Sequence, residues 1–199
     1  MTRGPLLRAF RERWLSGALP LVVEHRRGEL EHVCAAPSLW MGGRELALGL
    51  EGAGFQEGQG LHLALEPGVR WVQGLVAGLR SGAVLHLGAA STGAAWSLSS
   101  QGLAPPADGE AAREQESPEP AGCRLTSGEL TRAALARAGR CAPGAPVRLE
   151  PWSPSSVARA AAAALGALHD GAELHLFADS GPGGPERLHL TELALLTLS

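Results

Sequence analysis

Seven histidines, three cysteines and 20 acidic residues are the groups in this 199-residue chain that could carry acid–base, nucleophilic or metal chemistry. Four of the histidines, His62, His86, His175 and His189, stand in alternating runs of the LHL type. A histidine in such a run faces a partly wet side of a strand or is a hydrogen-bonded core residue. No His-x-x-x-His or Cys-x-x-Cys spacing occurs, so no metal site is expected. A Ser/His/Asp hydrolase of the strained-elbow type would need G-x-S-x-G, which is missing from the sequence. Cys34, Cys123 and Cys141 are an odd number at unrelated spacings. They read as reduced, partly buried thiols of a cytoplasmic protein. All 17 residues of the Lys+Arg total are arginine, so chemistry that needs a lysine ammonium or a Schiff base is excluded within this chain.

Two loops have the composition of ligand contacts. In GAASTGAAWS (88–97), Gly88, Ser91, Thr92 and Gly93 could present backbone N–H groups to an anion. No helix is evident after it, and a flexible strand-to-linker transition is the plainer reading. ADSGPGG (178–184) lies just beyond the carboxyl end of an expected strand, where open α/β sheets bind ligands. Asp179, Ser180 and Gly181 are the candidate contacts there, although Pro182 lacks a donor and Pro-Gly-Gly-Pro suits a surface turn. Of the five tryptophans, Trp71 and Trp152 fall where helix meets strand and read as packing anchors. Trp14 and Trp40 are candidates for a partner surface.

These groups need elements to position them. Leu6, Leu7, Phe10, Trp14 and Leu15 recur at helical spacing, predicting an amphipathic helix over 5–16 ended by Gly17. LPLVVEH (19–25) and LEHVCA (30–35), separated by Arg26-Arg27-Gly28-Glu29, predict a hairpin. A helix comes next over 39–53, with Leu39, Trp40, Leu46, Leu50 and Ala53 on one face, then a strand over 61–65. Val69 to Leu79 predicts a helix, Ser81-Gly82 a stop, and 83–87 a strand. Ser155 to Leu168, Asp170-Gly171 and 172–177 repeat that order. GLVAGLRSGAVLHL (74–87) and AALGALHDGAELHL (163–176) are the same physical unit: an apolar helix, a left-handed glycine and a buried strand. Right-handed crossovers are expected to place the second unit beside the first.

Residues 98–122, SLSSQGLAPPADGEAAREQESPEPA, have few large apolar side chains to offset their ordering entropy and read as a flexible linker. LTSGELTRAALARAG (125–139) opens with Thr126 or Ser127 as N-cap and Glu129 in the first turn. PVRLEPW (146–152) is read as a strand, and the terminal LHLTELALLTLS (188–199) fits either a strand or a helix, with the strand favoured. The fold class expected is α/β, a mostly parallel sheet with helices on both faces, in a single domain over 1–199.

Composition narrows the function. With 45% hydrophobic and 19% charged residues the chain is globular, and a net charge of −3 offers no footprint for nucleic acid or membrane. No apolar signal core or spanning segment is evident, which makes a cytoplasmic location the expectation. Lys, Asn, Ile and Tyr are all absent, as suits a GC-rich bacterial genome.

Residues 39–87 and 125–177 together resemble the adenylate-forming superfamily of acyl-CoA synthetases, luciferases and peptide-synthetase adenylation domains. The first block carries GRELALGLEGAG, a glycine-rich turn, LHLALEP, VRWVQGLVAGL and RSGAVLHL. The second carries a helix behind an L-T-H-x-x-L-like start, a strand into proline and an alanine-rich helix into x-Gly-Ala. The resemblance implies the N-terminal part of such a ligase, cut short. The family's phosphate loop, T-S-G-T-T-G-x-P-K-G, corresponds here to EQESPEPAGCRLTSGEL, in which only Pro120 and Gly122 match. Ala121 stands at the lysine position, and Gln115, Glu116 and Glu119 at hydroxyl and glycine positions. Carboxylates repel phosphates, so the expectation is a non-catalytic binding or interaction module. It is expected to carry no cofactor, with ATP, AMP or CoA bound only if a residual family function survives. The alternatives are half of an AMP-forming ligase completed by a second chain, or a small nucleotide- or CoA-binding domain. A truncated sheet leaves an edge, so a protein partner or homodimer is expected.

Overall fold

The computed structural model describes residues 4–15, 21–26, 29–88, 95–106, 123–149 and 156–177. Helix α1 (Pro5–Leu15) buries Leu6, Leu7, Phe10 and Trp14 of the predicted stripe, while Leu15, its last residue, is 56% exposed. Strands β1 (Leu21–Arg26) and β2 (Glu29–Ala35) form the expected antiparallel hairpin. Helix α2 (Ala36–Gly52) starts three residues before the expected 39, with proline in its first turn. Ala53 follows the helix as its C-cap and is exposed.

Strand β3 (Gly60–Ala64), helix α3 (Val69–Ser81) and strand β4 (Val84–Leu87) come next, then strands β5 (Trp96–Ser99) and β6 (Gly102–Ala104). Strand β7 (Cys123–Thr126), helix α4 (Ser127–Leu135), strand β8 (Pro146–Leu149), helix α5 (Val157–Asp170) and strand β9 (Glu173–Phe177) complete the described chain.

The α/β class and the largely parallel pairing are as expected, with the strands divided between two sheets. The first runs β2-β1-β9-β8 and the second β6-β5-β3-β4-β7. Four pairs are parallel (β1–β9, β9–β8, β3–β4, β3–β5), and of the four outer strands β2, β6 and β7 pair antiparallel while β8 pairs parallel. Helix α3 contacts β1, β3 and β4, and α5 contacts β7, β8 and β9, so each touches both sheets.

Both repeated units are present in the predicted form. Gly82 (φ 67°) and Gly171 (φ 81°) end α3 and α5 in the left-handed region that only glycine adopts cheaply. Ala83 N–H donates to Gly78 O at 2.9 Å and Ala172 N–H to Ala167 O at 3.0 Å, the same six-to-one closure at both ends. The second unit does not lie beside the first, however: β4 belongs to one sheet and β9 to the other. A strand end shows that a crossover comes next, not which sheet receives it.

The linker expected over 98–122 begins too early. Ser97↔Ala104 and Ser99↔Gly102 pair β5 with β6, and Leu98 is buried, so 96–104 is a hairpin of the second sheet. Its serines and Gly102 lower the apparent apolar content, while Trp96 and Leu98 supply the burial. Residues 107–122 lie outside the described residues, as do the terminal segment 188–199, Trp152 and His189.

The core is continuous between the layers. Phe10 stacks on Trp14 at 4.5 Å between ring centroids, and Trp14 meets Trp40 edge-on at 6.2 Å. Trp14 is 0% exposed and Trp40 5%, so the partner surface expected at these residues is instead the α1–α2 contact. Glycines set how closely α3 is approached: a Cβ at Gly43 would lie 2.6 Å from Val76, and one at Gly78 2.5 Å from Leu85. Removing those side chains lets α2 and the second sheet close on opposite sides of α3.

Candidate functional site

The carboxyl ends of β1 and β3 and the amino end of α3 enclose a cleft of about 520 Å³, lined by Glu24, Arg26, Glu66, Gly68, Arg70 and Ser100 among others. A neighbouring hollow of about 320 Å³ shares Ala64, Leu65 and Glu66 and extends past His62 and Trp71 to Gly88 and Val157. This is where a parallel sheet leaves its loops free to hold a ligand.

Its chemistry is set by Glu24. The Glu24 carboxylate accepts the N–H of Val69, the first residue of α3, at 3.0 Å. Gly68 makes room for it: a Cβ there would lie 2.8–2.9 Å from the carboxylate atoms. The backbone at Gly68 is extended, so the constraint is steric. An amino terminus of this kind attracts anions through its unpaired N–H groups and dipole. Here a carboxylate of the same chain already takes that place. Arg26 is engaged by Glu31 at 2.9 Å, and Arg70 lies exposed on the rim. Two carboxylates and two guanidiniums leave the lining near charge balance, which suits a ligand of mixed polarity better than a polyphosphate.

Of the predicted loop candidates, Gly88 is described: it stands directly after β4 with φ 72° and lines the smaller hollow. Ser91, Thr92 and Gly93 lie outside the described residues, as do Asp179, Ser180 and Gly181 and the remnant with Pro120 and Gly122. The residues directly after that remnant are placed: β7 pairs with β4 through Leu87↔Cys123, and Thr126 caps α4. Thr126 Oγ1 accepts Glu129 N–H at 3.2 Å, and Thr126 N–H donates to Glu129 Oε2 at 2.8 Å, the reciprocal box that the sequence predicts. The Thr126 N–H, with the hydroxyl behind it, holds the Glu129 carboxyl below its ordinary range.

Four of the histidines fall into two groups that linear spacing does not show. His62 and His86 pair across β3 and β4, with Ser97 and Arg124 in register on the flanking strands. His86 packs directly over Gly60, where a Cβ would lie 2.9 Å from its Nε2. Burial first, then Arg124 and His62, push its pKa down. In the other sheet, His175 Nδ1 lies 2.9 Å from His25 Nε2, and His175 Nε2 lies 2.7 Å from Glu173 Oε1. His25 also stacks on Phe177 at 4.5 Å, and Arg148 lies 4.2 Å from that ring centroid. Neither His25 nor Glu173 stands out in the sequence, because His25 and His175 are 150 residues apart.

Cys34, Cys123 and Cys141 are free thiols. Burial pushes each upward, with Glu129 adding to the effect at Cys123 and Asp170 at Cys141. None is activated as a nucleophile. Among the described residues, no group of three or more His, Cys, Asp or Glu side chains could hold a metal ion. No helix among them is long and apolar enough to cross a membrane.

No family model matches the sequence, and no curated protein matches it significantly. Solved structures do match the fold. The N-terminal subdomain of Klebsiella oxytoca NpsA, in complex with anthranilyl-AMSN, superposes with a TM-score of 0.62 at 13% identity, covering 91% of this chain and 56% of that one. Coronafacic acid ligase from Pectobacterium brasiliense gives 0.62 at 14% identity, over 88% and 46%. Brucella canis acyl-CoA synthetase gives 0.57 at 14%, over 87% and 43%. The chain thus spans about half the length of each of these structures. Two largely parallel mixed sheets with helices packed between their strands, in this order, give the chain the fold of the N-terminal subdomain of the adenylate-forming ligases.

Proposed function

We propose that this chain is a non-catalytic, acyl-CoA synthetase-like domain that works as a binding or interaction module. The observation that carries the reading is the Glu24 carboxylate at the amino end of α3, inside the cleft. A nucleotide phosphate brought there would meet a fixed negative charge in place of free N–H donors. The sequence supports the same reading, with Glu116, Glu119 and Ala121 in the stretch that resembles the phosphate loop and no lysine anywhere in the chain. Adenylation chemistry relies on cations placed against the transferring phosphate.

The test is ATP–pyrophosphate exchange by the purified chain with a panel of carboxylic acids. No exchange above a protein-free control is expected. Robust exchange would sink the proposal.

A second reading is half of an AMP-forming ligase, completed by another chain. It is favoured by the coverage of about half of each matched structure. This reading requires a partner that carries the missing motifs and restores exchange when mixed with the chain. Thermal shift with ATP, AMP and CoA separates both readings from a plain nucleotide- or CoA-binding domain, which alone predicts stabilisation of the isolated chain.

A further inference from the structure

The first sheet has a helix-facing side, with Val22, Leu174 and Leu176 buried, and an opposite side set by strand alternation. Glu173, His175 and Phe177 of β9 lie on that opposite side with His25 of β1 and Arg148 of β8. His175 Nε2 reaches the Glu173 carboxylate at 2.7 Å. A carboxylate only accepts, so Nε2 carries the ring hydrogen and the Nδ1 lone pair points outward. His25 Nε2 faces that lone pair at 2.9 Å. With the ring centroids 5.2 Å apart, the two imidazole nitrogens face each other almost head-on, and one ring is oriented from behind by a carboxylate. That is how metal-ligating histidines are held.

We propose that His25 Nε2 and His175 Nδ1 bind a late first-row divalent cation of the zinc class, with Glu173 as the positioning residue behind His175. Purely imidazole donors suit zinc, cobalt, nickel or copper rather than magnesium or calcium. Tetrahedral zinc with bonds of about 2.0–2.1 Å needs its two nitrogens roughly 3.3 Å apart. The nitrogens therefore move apart by about 0.4 Å, and each ring turns by roughly 35° so that both lone pairs meet at the ion. The hydrogen between the rings shifts to His25 Nδ1, so each imidazole stays neutral and the ion carries its own charge. Arg148 opposes the cation, while Glu173 compensates from behind His175. The remaining coordination positions are open to water or to an outside donor. A pairing across 150 residues leaves no trace in ligand spacing, which is why the sequence predicts no metal.

The test uses the full chain without a histidine tag, titrated with Co²⁺ and followed by visible absorption, with Zn²⁺ as competitor. One ion per chain is expected, lost in His25→Ala and in His175→Ala, and weakened about 10–100-fold in Glu173→Gln. Undiminished binding in the His25→Ala/His175→Ala double variant overturns the proposal, as does no binding by the native chain in excess Co²⁺. Nitrogen NMR of the native chain is independent of how well the variants fold. Zn²⁺ must shift the ring nitrogens of His25 and His175, and leaving those two unmoved overturns the assignment.

Discussion

Glu24 on β1 accepts the N–H of Val69, at the start of α3, across 45 positions of sequence. One contact therefore ties the first sheet to the helix that carries much of the core, and fills the anion-seeking end of that helix. Stability and ligand preference meet in this side chain. Glu24→Ala leaves the first N–H of α3 without its carboxylate and should cost about 1–2 kcal/mol, read from urea unfolding. An unchanged midpoint and slope would show that water replaces the carboxylate at no cost.

Helix packing gives a contrast within one residue type. A Cβ at Gly166 would lie 3.0 Å from the Ala134 carbonyl oxygen and 2.9 Å from Arg137 Cβ, so α4 and α5 have no room for it. Gly166→Ala should destabilise by about 1–3 kcal/mol. Gly49 on α2 has nothing within 4 Å of the same position, and Gly49→Ala should stabilise by about 0.5–1 kcal/mol. Thermal unfolding of the two variants should move in opposite directions.

Asp170 accepts the N–H groups of Gly139, Arg140 and Cys141 at 2.7–3.0 Å and lies 3.2 Å from His169 Nδ1. Burial alone would raise its pKa, yet these hydrogen bonds outweigh burial and hold it below 3.8. A carboxyl depressed on folding contributes stability above its unfolded pKa and loses it as pH falls through the folded value. The native chain should therefore lose stability below about pH 4. Asp170→Asn should be about 1–3 kcal/mol weaker at neutral pH, with a flatter acid limb in denaturant curves taken against pH.

His86 carries the opposite charge logic to the same sign. Burial, Arg124 and His62 lower its pKa in the folded chain, so the unfolded chain binds the proton better. Its contribution is complete above 6.5 and shrinks as pH falls from there towards the folded value. In an NMR titration the His86 ring should change charge below 6.5. A midpoint above that value would contradict the desolvated setting over Gly60.

Much of the local architecture was legible in the residues alone. The apolar stripe Leu6, Leu7, Phe10 and Trp14 names a helix face whatever it packs on. Thr126 and Glu129 make a capping box, and Gly82 and Gly171 each end a helix and begin a strand. Every one of these signals depends on groups within a few positions of one another, which periodicity and cap chemistry report directly. The cleft could be anticipated only as the carboxyl ends of strands.

Tertiary structure alone decided the rest. Two helix–glycine–strand units of the same pattern entered different sheets, and a serine-rich stretch became the β5–β6 hairpin because Trp96 and Leu98 found a buried face. Trp14 and Trp40 turned inward on each other, Glu24 found Val69, and His25 met His175. Strand order and these distant contacts join positions far apart in the chain, up to 150 residues for the two histidines. Which of several equally apolar faces packs together is settled by the shape of the whole core, and no local pattern encodes it.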